Sequence, residues 1–157
     1  MKIKLLVVGK TEEDFMNEGI DKYISRLKHY ISFEFIIIPD VKGGSKLTTL
    51  KLKEEEGKLI LAKVSAGDQL ILLDEKGKDF TSREFSGFIQ KKMNSGAQAL
   101  IFVIGGAFGF SDEVYEKAKD QISLSKMTFS HQMVRLFFTE QLYRAFTIIK
   151  GEKYHHD

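Results

Sequence analysis

Basic, titratable and aromatic side chains crowd one end of this chain. The segment Lys126–Asp157, KMTFSHQMVRLFFTEQLYRAFTIIKGEKYHHD, holds five Lys and Arg against three acids, and with them the whole net charge of +2. Three of the four histidines and two of the four arginines lie in it, whereas the preceding residues balance in charge. Such a concentration suits an anionic partner. The plainer reading is an amphipathic terminal helix with a polar tail, in which Arg135 or Arg144 pairs with Glu140 at the surface. A second chemically suggestive segment is GGAFGF at 105–110, where paired glycines allow a ligand to approach the backbone. Its spacing is neither GxGxxG nor a Walker A loop. A glycine pair after a strand is also often no more than a tight turn.

Composition narrows the classes. At 157 residues the chain suits one domain burying roughly 70% of its unfolded surface. With no cysteine, disulfides, thiolate metal sites and cysteine nucleophiles are excluded. No metal-ligand pattern is evident. No apolar run approaches the length of a membrane span, and MKIKLLVVGK reads as an opening strand rather than a signal peptide. A cytoplasmic location is the default expectation. The isoelectric point near 8.6 is too mild to argue for nucleic acid by itself.

Positioning these residues requires a scaffold, and β-branched runs alternate with amphipathic stretches along the chain. Ile3–Val8, Phe33–Ile38, Gln69–Leu73 and Ala99–Ile104 read as strands, with Ile122–Leu124 a short fifth strand or extended turn. Helices are expected from a Thr11 cap to Tyr30, over Leu47–Val64, and from a Thr81–Glu84 capping box to about Asn94. Two more follow Ser111 and run from about His131 to Ile149. In the first helix Phe15, Ile20, Tyr23, Ile24 and Leu27 share a face, and Gly57 is a point where the second can break. Residues 40–46 and Asp74–Gly77 read as loops. This alternation implies an α/β fold: a single domain over residues 1–157, with a mostly parallel sheet of five to six strands covered by helices on both faces.

Ligands in open α/β sheets bind beyond the carboxyl ends of strands. Leu73–Asp74, Gly105–Phe110 and Leu124–Phe129 occupy such places. In the last helix Val134, Phe138, Leu142, Ala145 and Ile149 form an apolar stripe flanked by Met133, Phe137 and Ile148. That width suggests burial on a second side, most simply in a homodimer. Arg135, Thr139 and Arg144 fall off the stripe, where they can face a cleft.

Taken together, the opening IKLLVVGK, the helix segment KEEEGKLILAK, Leu73–Asp74 before Gly77–Lys78, VIGGAFG at 103–109, LSKMTFSHQMVR at 124–135 and EQLYRAFTIIKGEKYHH at 140–156 closely resemble the RlmH (YbeA-like) family. These are small bacterial SPOUT-class methyltransferases acting on a pseudouridine of 23S ribosomal RNA. The resemblance runs nearly end to end and is most specific in the two C-terminal strings. It implies a C-terminal trefoil knot, which is a rare topology, and a cofactor, S-adenosylmethionine, bound in bent form by the knot loops. By position the cofactor residues would be Leu73, Gly105, Leu124, Ser125, Lys126, Met127, Thr128 and Phe129. It also implies a homodimer in which one subunit's cofactor loops meet the other's C-terminal tail. The substrate implied is 23S rRNA in the ribosome, with no part for DNA or a membrane. Two positions depart from the family pattern: Ser130 stands where proline is usual, loosening the turn before His131, and Phe108 is bulkier than the small or polar residues common there.

The reaction so implied is methyl transfer to N3 of pseudouridine by in-line displacement, with the protein supplying position and electrostatics. On this reading Arg144, Tyr154 and His155 are the catalytic set, and His131, Arg135 and Tyr143 contact substrate. Arg135 and Arg144 would hold phosphate or the anionic carbonyl oxygens of the base. Tyr143 or Tyr154 would stack on the base or bond to it. His155, or less readily His131, is the candidate base, with water as the alternative. A weakly charged protein should prefer an assembled ribosome to naked RNA. The competing readings are an unknotted Rossmann-type nucleotide-binding enzyme using Gly105–Gly109, and a ribosome-associated RNA-binding protein without catalysis.

Overall fold

In the computed structural model, which describes residues 1–157, every strand is parallel to its neighbours. The elements run β1 (Lys2–Val8), α1 (Asp14–Leu27), β2 (Ser32–Ile38), a 3-10 turn (Gly44–Lys46), α2 (Thr49–Leu61), β3 (Gln69–Asp79), α3 (Ser82–Met93), β4 (Ala99–Ile104), α4 (Asp112–Lys117), β5 (Asp120–Ser123) and α5 (His131–Ile149). The sheet order is β2-β1-β4-β3-β5. The fold is a five-stranded α/β domain.

Alternation along the strands splits the core in two, because successive side chains point to opposite faces. Ile3, Leu5, Val7, Ile71, Leu73, Leu100, Phe102 and Ile104 face α1, α3 and α5, meeting Leu27, Phe85, Ile89, Phe138, Leu142 and Phe146. Leu6, Val8, Leu70, Leu72, Ile101 and Val103 face the other way, onto Ile60 of α2 and Val114 of α4. β4 has all six residues buried, as a central strand covered on both faces must.

Several local expectations change once tertiary contacts exist. Thr11 does not cap α1; its hydroxyl accepts from Arg135 Nη1 at 3.0 Å, and Glu13 takes the N-cap place without a side-chain bond. Phe15 lies 61% exposed, and Met16 joins Ile20 and Leu27 on the buried face instead. Gly57 does not break α2, which runs unbroken to Leu61. A Cβ at Gly57 would lie 2.5 Å from Ser111 Oγ and 3.2 Å from Val114 Cγ2, so glycine there lets α2 and α4 approach.

β3 is longer than its pattern suggests. Leu73 and Lys78 both pair with Ile122, so Asp74–Gly77 bulges out of a strand that then resumes to Asp79. A Cβ on Gly77 would stand 2.6 Å from Gln121 C, Ile122 N and Ile122 C. The backbone of β5 therefore passes directly against the bulge. α5 is flanked by α1 on one side and α3 on the other. Those neighbours account within one chain for much of its wide apolar surface, and every residue of α5 is at least half-buried.

Candidate functional site

The bulge after Leu73, the glycine loop after β4 and the bend after β5 converge on a cavity of about 490 Å³ at the carboxyl ends of the strands. That volume falls in the range of small-molecule sites. Of the residues expected there, Leu73, Gly105, Leu124, Ser125, Met127, Thr128 and Phe129 line it, as does His131. Lys126 does not: it is exposed and points away, consecutive residues of an extended bend facing different ways. Position after strands found these loops, but it could not single out Tyr115 from α4, or Asp74 and Glu75 from their neighbours, and all three line the wall. Ser125 Oγ accepts from Met127 N at 2.9 Å, and Ser123 Oγ donates to Ser125 O at 2.7 Å, so the bend is braced internally. Ser130 caps α5 by accepting from Met133 N at 3.1 Å, which anchors the turn without proline. Phe108, on the rim, is 58% exposed.

The glycine loop is backed by an acid. A Cβ at Gly106 would lie 2.9 Å and 3.0 Å from the two carboxylate oxygens of Glu56. Burial, and then the charge of Asp40, raise the Glu56 pKa above its ordinary 4.5. A raised folded-state value means that ionised Glu56 disfavours the fold above that value, and that the penalty vanishes below about pH 4.5. Glu56→Gln is therefore expected to raise the melting temperature at about pH 8, with the gain shrinking as the buffer approaches about pH 4. Melting curves at both pH values check this, and a constant gain would contradict it.

The second group of expected residues assembles elsewhere. Lys150 ends α5, Gly151 follows at φ +70°, and its N–H reaches Ile148 O while Glu152 N–H reaches Thr147 O. This pair of bonds is a Schellman turn, and it reverses the chain so that the tail lies back along α5. Glu140 is the hub of the resulting cluster. Its Oε1 accepts from Arg144 Nη2 at 2.6 Å, Arg144 Nε at 3.2 Å and the Tyr154 hydroxyl at 3.1 Å. The Arg144 guanidinium also sits 4.6 Å over the Tyr154 ring, whose other neighbour, Tyr143, meets it edge-on at 4.8 Å. Arg144 Nη1 lies 3.3 Å from His155 Nδ1, and His155 Nε2 lies 3.2 Å from Asp157 Oδ1. An arginine can only donate, so Nδ1 is the acceptor and the imidazole proton resides on Nε2. Burial foremost, with Tyr23 and the Glu140 carboxylate adding, raises the Tyr154 pKa, so this side chain stays a neutral phenol.

Arg135 requires a correction. It is fully buried, with Nη2 donating to Val8 O at 2.7 Å and Nη1 to Gly9 O at 2.9 Å, so it cannot reach a phosphate or base. Its role is to close the end of β1 onto α5, and burial lowers its pKa, with Asp40 and Glu12 opposing. Thr139 is also buried, donating to Arg135 O and Leu136 O of its own helix, and faces no cleft. Arg135→Ala should cost roughly 3 kcal/mol, because two buried carbonyls and Thr11 lose their donor. Urea denaturation measures this, and a variant as stable as the parent would contradict the buried closing role. Tyr143 is half-buried among Tyr23, Tyr30 and Tyr154, with Arg26 5.4 Å over its ring.

Arg144, Tyr154 and His155 thus come together, and so do the loops expected to hold the cofactor, but the two groups stand apart. At 1.5 Å per residue, Arg144 lies about 20 Å along α5 from His131 at the cavity.

Comparison with known proteins bears on the whole chain. A family model described as "Predicted SPOUT methyltransferase" matches residues 1–155. The protein named ribosomal RNA large subunit methyltransferase H from Porphyromonas gingivalis is 56% identical over 157 residues, all of both chains. Its namesake from Christiangramia forsetii is 60% identical over 156 residues, covering 99% of each chain. Among solved structures, a probable methyltransferase from Bordetella pertussis Tohama I overlays with a TM-score of 0.52 at 13% identity, covering 92% of this chain and 94% of that one, a likeness of fold.

Proposed function

Since the chain belongs to the SPOUT methyltransferase family, matched over residues 1–155, we propose that it is an S-adenosylmethionine-dependent methyltransferase of large-subunit ribosomal RNA. Its relatives carry that activity in their names. The observation that carries the reading is the convergence of three strand-end loops on one cavity of nucleoside-ligand size, with glycine at 105 and 106 admitting close backbone contact. Apolar walls from Leu73, Ile104, Leu124 and Phe129 suit an adenine. The finer assignment is N3 of a pseudouridine in 23S rRNA, on the assembled ribosome.

The bound cofactor supplies an electrophilic methyl group; this chain's residues supply position and charge. Leu73, Gly105, Leu124, Ser125, Met127, Thr128 and Phe129 would hold that group, which would supply its methyl carbon to N3 and keep the electron pair of the carbon–sulfur bond. Arg144 spends three N–H groups on Glu140 and His155, which leaves two donors of the five for the anionic carbonyl oxygens of the base. The Nδ1 lone pair of His155 is already engaged, so the N3 proton passes to water and Arg144 stabilises the anion. Tyr154 acts as a brace for Arg144.

The distance between cavity and tail favours a homodimer in which each tail serves its partner's cavity. Exposed Phe108, Met127 and Phe129 beside the cavity offer apolar surface for that contact. The tight passage of β5 at Gly77 supports the trefoil knot that the family implies. None of the helices is long and apolar enough to cross a membrane, in keeping with a protein acting at cytoplasmic ribosomes.

The test is calorimetry with S-adenosylmethionine, then methylation of ribosomes from cells lacking the protein, with the product nucleoside identified by mass spectrometry. Binding and a single added methyl on a pseudouridine are expected. Binding of NAD or ATP in its place would favour a Rossmann-type enzyme, and binding to ribosomes without methyl transfer would favour a non-catalytic RNA-binding protein.

A further inference from the structure

The geometry points to Asp74 as the fixed negative charge that meets the cationic part of the ligand in the strand-end cavity. The inference rests on the reading of that ligand as S-adenosylmethionine, and it assigns a role to a residue that is not among the cofactor positions the family resemblance implies.

Asp74 is the first residue of the bulge in β3, directly after Leu73, and its side chain lines the cavity wall. Both oxygens are held by protein donors. Oδ1 accepts the Lys76 backbone N–H at 2.8 Å, and Oδ2 accepts the Tyr115 hydroxyl. Tyr115 lines the same wall from α4, and its pKa is pushed up to about 12, first by burial and then by Asp74. It therefore remains a donor throughout the physiological range. A carboxylate offers about four lone-pair sites, so two bonds leave it able to accept from a ligand. Held in this way, it needs no reorganisation when a cation arrives.

The other charges around the cavity are less able to fill this role. Glu75 and Lys76 are exposed, and Glu75 Oε2 is already taken by the Thr128 hydroxyl at 3.1 Å, bridging the bulge to the bend after β5. Their charges are screened by solvent, whereas Asp74 is half-buried beside Tyr115. S-adenosylmethionine carries two cationic groups, the sulfonium and the amino-acid ammonium, and either meets the requirement. Only the sulfonium disappears on methyl transfer. If Asp74 faces the sulfonium, it ties affinity to the progress of the reaction and favours release of the spent cofactor.

Calorimetry on the full chain separates these cases, using S-adenosylmethionine and S-adenosylhomocysteine as probes. The parent protein should bind S-adenosylmethionine; if it does not, the reading of the cavity fails before this inference is reached. Asp74→Asn should bind it about tenfold more weakly, the size of a partly screened charge contact. The deficit should narrow at high salt, which a merely structural defect would not do. Retained affinity for S-adenosylhomocysteine would assign the sulfonium, and an equal loss would assign the ammonium; both support Asp74. Asp74→Glu, which keeps the charge, should recover part of the affinity. Parent-like binding of S-adenosylmethionine by a folded Asp74→Asn variant overturns the inference.

Discussion

Gly77→Ala is expected to leave little folded protein. The added methyl would sit 2.6 Å from three backbone atoms of Gln121 and Ile122, and backbone cannot swing aside as a side-chain tip can. Relief would need β5 to move away from β3, which gives up the pairing of Lys78 with Ile122 and of Asp79 with Ser123. The bend at Leu124–Phe129 follows β5 directly, so the cavity would open as well. The expected cost is roughly 3 kcal/mol or more, at the upper end for overpacking. Soluble yield, circular dichroism and melting temperature measure it. Gly87→Ala is the matched control, because a Cβ there meets nothing within 4 Å. A Gly77→Ala protein as stable as the control would mean that β5 does not lie against the bulge.

Arg144→Ala should lower the rate of methyl transfer roughly 100- to 1000-fold, the loss typical when an aimed donor to a developing anion is removed. The guanidinium is fixed from two sides, by Glu140 Oε1 at 2.6 Å and by His155 Nδ1 at 3.3 Å, so its remaining N–H groups have a defined direction. Lysine retains the charge but not the fork, and Arg144→Lys should recover only a small part of the rate. Affinity for S-adenosylmethionine should stay at the parent value, since the two N–H groups left free by Glu140 and His155 are assigned to the carbonyl oxygens of the base and not to the cofactor. Single-turnover methylation of ribosomes, paired with calorimetry, makes both measurements. A loss of less than about threefold in rate would remove Arg144 from the reaction.

What was legible from residue order was whatever depends on neighbours in the chain. β4 and α5 fall where their patterns put them, Ala99–Ile104 and His131–Ile149, because six continuous apolar residues and a long capped amphipathic run leave no rival. The Thr81–Glu84 capping box and the Ser111 cap also form as written. Elements whose form depends on distant partners were not readable. Thr11 has the chemistry of a helix cap, yet Arg135 lies on the far side of the chain and claims its hydroxyl. Gly57 looks like a helix breaker until α4 is laid against it. β3 stops at Leu73 on pattern alone, and only pairing with Ile122 revives it at Lys78.

The site divides in the same way. Loops after strands are predictable as ligand-binding places, and the cavity forms among them. Which side chains in those loops turn inward is not predictable, as Lys126 and Asp74 show from opposite directions. Arg135 and Arg144 look alike in sequence, nine residues apart on one helix, but one is sealed beneath β1 and the other is held at the surface by Glu140.

The strand order carries a consequence for biosynthesis. β1 finds β2 early, since only α1 separates them, but its other neighbour is β4, and Lys2 must wait for Ala99. During translation the nascent N-terminal half therefore holds an open hydrogen-bonding edge and an uncovered apolar face until most of the polypeptide has emerged. Pairing across so long an interval closes slowly. Until it closes, nascent copies are open to mispairing with one another, and holdase chaperones at the ribosome exit should raise the yield of active enzyme.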